Sequence, residues 1–115
     1  MTKLIYKIVP EPLWREAQTA GVFLGAPVDL ADGYIHFSTA AQARETAAKH
    51  FSGQDNLLLA AVDEDELGSA LKYEVSRGGA LFPHLFAPLE LSAVVWVTPL
   101  PLGADGVHVF PDIPA

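Results

Sequence analysis

Residues 56–62, NLLLAAV, constrain this chain more than any other stretch. An aliphatic run of strand length without polar alternation belongs in mid-sheet, covered on both faces, because an open face would leave every second side chain in water. The run is therefore expected to be the central strand, with other elements layered on either side. The chain has the material to build those layers. Half of its 115 residues are apolar and only 18% are charged, which predicts one globular domain over 1–115 and no disorder.

The flanking segments supply the layers. KLIYKIV (3–9) is rich in β-branched and aromatic residues and stops at Pro10, so it predicts a first strand. In EPLWREAQTAG (11–21), Leu13, Ala17 and Ala20 recur at helical spacing, Pro12 lies in the tolerant first turn and Gly21 can close the C-terminus. Residues 22–32 hold Gly25, Pro27 and two aspartates without a steady period, which predicts a partly apolar loop able to cover a cleft. YIHF (34–37) alternates as a short strand, with Ile35 and Phe37 on one face and Tyr34 and His36 on the other. Thr39-Ala40-Ala41-Gln42 fits a capping box for a helix over 39–51 with Ala43, Ala47 and Phe51 as its stripe. Either Thr39 caps this helix and Ser38 is spare, or Ser38 caps it and its hydroxyl is spoken for.

Beyond the central strand, LKYEV (71–75) alternates so that Glu74 faces away from the main core, and SRGG (76–79) supplies a turn. Pro83 interrupts ALFPHLF (80–86), which predicts an edge strand or an ordered loop. LSAVVWV (91–97) is the last strong strand, and VHVF (107–110) is a candidate edge strand in the tail. Trp14 and Trp96 are expected in the core. Strands outnumber helices and do not alternate with them, so the class is α+β.

Several functions are set aside by composition. Fourteen acidic side chains against seven basic ones argue against a nucleic-acid partner, which is bound chiefly by Lys and Arg. DEDE (63–66) reads as a solvated loop or helix start and lacks the spacing of a calcium loop. No apolar run reaches the roughly 18–20 residues of a membrane helix. MTKLIYKIVP is not a signal peptide, and there is no cysteine, so a cytosolic protein is expected. The phosphate loop, the dinucleotide GxGxxG, the zinc HExxH and the nucleophile elbow GxSxG are all missing. His36, His50, His84 and His108 are not at ligand spacing, so no metal is expected. A site assembled from distant segments would draw on His36, Glu74 and His84.

His36 is the first candidate for chemistry, as a titrating side chain on a short strand that ends at Ser38. The competing reading is a buried, hydrogen-bonded histidine. His84 follows Pro83, whose ring could hold the imidazole at a cleft edge or simply pack it in a loop. Glu74 suits a sugar hydroxyl or a base, or the plainer role of a lysine's cross-strand partner. Arg77 beside Gly78-Gly79 either grips a phosphate or belongs to an ordinary turn. His50 and His108 read as structural.

Taken together, IYKI (5–8), Trp14, DGYIHFST (32–39) with Gln42, LLLAAVD (57–63), YE (73–74) and FPHLFAPL (82–89) resemble the domain-of-unknown-function 952 family over nearly the whole chain. Phe86-Ala87 stands where that pattern has tyrosine and glycine. The resemblance implies an ADP-ribosyltransferase-like fold, with two small, mostly antiparallel sheets around an NAD-binding cleft and two main helices. A strand, a helix ending in glycine and a strand with His-x-Ser are similar to the bacterial tRNA 2′-phosphotransferase branch, although the acidic surface argues against tRNA. That implies His36 and Ser38 on the nicotinamide side of the cleft. Lys7 stands where a first-strand histidine or arginine is usual; Lys7 or Arg77 would contact phosphate, and Glu74 or His84 would stabilise charge on the ribose. The expected function is binding of NAD or a related nucleotide, as substrate, with transfer or hydrolysis of ADP-ribose. The alternative is a binding module without turnover for a metabolite or a protein segment.

Overall fold

The apolar run forms strand β4 (Leu57–Asp63), paired antiparallel on one side with β1 (Leu4–Pro10) and on the other with β8 (Val94–Pro99). In this computed structural model, which describes residues 3–113 apart from the Arg77 side chain, the pleat of β4 separates two cores. Leu58, Ala60 and Val62 face one of them and Leu57, Leu59 and Ala61 the other, and all six are buried. Ile5 and Val9 of β1 join the first core, beneath helix α1 (Glu11–Ala20) with Trp14 and Ala17. Tyr6 and Ile8 join the second, beneath α3 (Ala40–His50) with Ala43 and Ala47. The central-strand expectation therefore holds, and its two-sided covering follows from alternation alone.

The remaining strands make two further antiparallel sheets. One pairs β2 (Val22–Phe23) with β7 (Leu89–Glu90); the other has the order β3 (Ile35–His36), β6 (Leu81–Leu85), β5 (Leu71–Val75). The chain is thus a small mixed α/β domain of antiparallel sheets, with three sheets among the described residues where two were expected. A third α-helix, α2 (Pro27–Asp32), replaces the loop expected over 22–32; Pro27 opens it and Gly33, at φ +87°, closes it in a left-handed turn.

Pro83 was expected to push its strand to an edge, yet β6 lies between β3 and β5. The missing donor explains how. Phe37 donates to the Pro83 carbonyl at 3.0 Å, and the return bond cannot form because proline has no N–H. The β3 ladder ends there, and the chain crosses to the first sheet, where Ser38 and Tyr6 exchange both backbone bonds at 2.8 and 2.9 Å.

Smaller departures have local causes. Residues 91–93 form a 3-10 turn ahead of β8, and VHVF contributes only an isolated bridge, Leu102 to His108. Ala20 is exposed, so the buried stripe of α1 is Trp14 and Ala17 with Leu13 beside them. Trp14 is fully inside, whereas Trp96 is half-buried, 6.0 Å from the Tyr6 ring. In DEDE, Glu64 is drawn in by the Tyr73 hydroxyl at 2.6 Å.

Candidate functional site

The crossing from β3 to β1 brings three of the expected residues together. Thr39 is the N-cap of α3, its N–H donating to Gln42 Oε1 at 3.1 Å, so Ser38 is released from capping. The Ser38 hydroxyl instead bonds Thr46 Oγ1 at 2.8 Å. Lys7, opposite Ala60 on β1, points into the first core and is buried. An ammonium in hydrocarbon needs a counter-charge, and Asp29 of α2 provides it at 3.0 Å.

Asp29 is the hub of the site. Its side chain is 1% exposed, and its Oδ1 accepts from Lys7 Nζ, from the His36 backbone N–H at 3.1 Å and from His36 Nδ1 at 2.7 Å. Its Oδ2 accepts from the Ala26 N–H at 2.7 Å. Burial alone would raise this carboxyl's pKa. The His36 ring, the Lys7 ammonium and the two backbone donors outweigh it and hold the group at about 2, so it is an anion. Burial in turn pulls Lys7 below its ordinary value, against the opposing pull of Asp29.

His36 faces away from the core, as alternation requires, with Tyr34 on the same side and Ile35 and Phe37 buried. Its ring is 30% exposed and both nitrogens are engaged: Nδ1 by Asp29 and Nε2 by Asp32 at 2.9 Å. Tyr34 stacks on His84 with centroids 4.1 Å apart and lies 4.6 Å from His36; the two imidazoles are 5.5 Å apart, edge to face. Phe86, where a tyrosine was expected, sets its ring 5.2 Å from Tyr34. His84 is only 3% exposed, and its Nδ1 meets Glu74 Oε1 at 2.8 Å across the β5–β6 ladder.

Beside the edge of β1 these groups border one cavity of about 470 Å³, lined by Lys7, Tyr34, His36, Ser38 and His84 together with Asp32 and His50. Of the residues expected from sequence, Lys7, His36, Ser38 and His84 converge there, and Glu74 touches the site through His84. Arg77 opens a 3-10 turn, and its side chain lies outside the described residues. The residues missed are Asp29, Asp32, Tyr34 and His50. Pro27 and Gly33, marks of a helix start and stop, were the signal that Asp29 and Asp32 stand on one short helix. His108 bonds the Gln54 carbonyl at 2.7 Å, away from this cavity.

Among the described residues no group of three or more His, Cys, Asp or Glu is placed to hold a metal ion, and no helix is long and apolar enough to cross a membrane. The family model described as "Protein of unknown function (DUF952)" matches residues 8–97, and the chain belongs to that family. It is similar to the crystal structure of protein CC0527 from Caulobacter crescentus, at 55% identity over 92% of this chain and 93% of that one, with a TM-score of 0.89. The solution structure of CC0527 is 56% identical over 90% of each chain, with a TM-score of 0.82. No curated protein matches.

Proposed function

We propose that this DUF952 protein binds NAD or a related nucleotide in the cavity beside β1, in an ADP-ribosyltransferase-like arrangement with the nicotinamide ring against Tyr34. The observation that carries the reading is the convergence of the Tyr34, His36 and His84 rings on one cavity that also takes in Lys7 and Ser38. Its volume of about 470 Å³ falls within the range of small-molecule sites, and aromatic walls with a few directed polar groups suit a flat polar heterocycle. Two three-stranded antiparallel sheets joined through the His36-x-Ser38 segment support the fold analogy.

In the catalytic form of this reading, the bond from ribose C1′ to the nicotinamide nitrogen breaks and its electron pair leaves on nicotinamide. The Glu74–His84 pair, of which His84 borders the cavity, stabilises the cation left on the ribose, and a water or acceptor hydroxyl adds at C1′ and releases its proton to solvent. The second reading, a binder without turnover, is favoured by His36. Both ring nitrogens already lie against carboxylates, so neither faces the cavity open to that proton.

Thermal melts with NAD test the binding step. Ligand at about 100 times its Kd adds roughly 2.7 kcal/mol of stability, so millimolar NAD should raise the Tm of the wild type and not that of Tyr34→Ala. No shift in the wild type overturns the proposal. Nicotinamide release that falls in Glu74→Gln identifies an enzyme; a shift without release identifies the binder.

A further inference from the structure

The two carboxylates on His36 are held very differently. Asp29 is buried under four hydrogen bonds, whereas Asp32 is the last residue of a six-residue helix, with its side chain 46% exposed. A carboxylate at a helix C-terminus gains nothing from the carbonyls around it, so what holds Asp32 in place is the His36 ring. That ring meets carboxylate oxygens at 2.7 and 2.9 Å, and both contacts are hydrogen bonds only when both nitrogens carry a proton. The local set is then two cations, Lys7 and His36, and two anions, Asp29 and Asp32. Lys7, His36 and Asp32 all border the cavity. If Asp32 swings out, the remaining three groups carry one net positive charge, and the Nε2–H of His36 faces the cavity without an acceptor.

We propose that Asp32 is a resident stand-in for an anionic group of the ligand: a phosphate oxygen entering the cavity takes the Nε2–H of His36 and displaces the Asp32 carboxylate into solvent. His36 is then an anion-binding residue rather than a base, and Asp32 lowers affinity by competing for the same donor. The identification of the anion as phosphate rests on the nucleotide reading above; the competition between Asp32 and an incoming anion rests on the geometry alone.

The test titrates inorganic phosphate and, separately, NAD against the wild type, Asp32→Ala, and the double variant Asp32→Ala/His36→Gln, read by calorimetry. Asp32 is half in solvent, so its removal leaves the core packing intact. The expected result is phosphate affinity about tenfold higher in Asp32→Ala than in the wild type, equivalent to about 1.4 kcal/mol, with the gain lost in the double variant. Equal phosphate affinity in the wild type and Asp32→Ala overturns the proposal, as does a gain that survives the loss of His36. A phosphate gain with no NAD binding in either protein leaves the anion site standing and removes the NAD reading. NAD binding without a phosphate gain does the reverse.

Discussion

Strands β4 and β1 pair along seven residues, yet they do different work. β4 is hydrocarbon on both faces from Leu57 to Val62, so nothing in it needs a partner beyond close packing. β1 is likewise buried from Ile5 to Val9, but places Lys7 opposite Ala60, and that one ammonium ties α2, through Asp29, to the sheet. The strand enclosed by neighbours specifies the fold, while the edge strand, met on its outer side at Tyr6 by Ser38, carries the polar group from which the site is assembled. Hydrophobic burial is tolerant and non-directional; a buried charge is neither.

The contrast can be broken most severely at Asp29. Asp29→Ala leaves Lys7 buried without a counter-charge and should cost about 3–5 kcal/mol in urea unfolding. Lys7→Met should cost clearly less, because Asp29 keeps His36 and two backbone donors; equal losses would mean that the pair does not have this asymmetry. Next in size is Leu59→Ala on β4, expected to cost about 3 kcal/mol as a plain cavity, with no dependence on pH. The smallest effect is the acid limb. A carboxyl held near 2 against an ordinary 3.8 contributes stability that is complete above about pH 4 and lost as pH falls toward 2, roughly 2 kcal/mol in all. Unfolding free energy followed from pH 5 to 2 should show this slope in the wild type and a flatter one in Asp29→Asn.

Signals that depend on near neighbours in sequence were legible. The unbroken run of β4, the alternation at 34–37 and the Thr39–Gln42 cap each encode one local choice, and each was realised. What failed depends on partners far along the chain. Six residues, Pro27–Asp32, are too few to display a helical period, so α2 and its two aspartates were read as loop. Pro83 was judged by the rule that a proline seeks an edge. Its N–H would have faced β3, and β3 ends at that point, so a central position costs only one bond. Lys7 was picked out as a group for a ligand, and no property of β1 itself indicated that Asp29 would already occupy it.

The passage from Phe37 to Ser38, where one peptide leaves the β6 ladder and the next enters the β1 ladder, works as a seam. Neither sheet can loosen without tugging on the other through that stitch, so the two are mechanically one unit. Phe37 and Ser38 also line the cavity, so its wall is shared between the two sheets at that stitch.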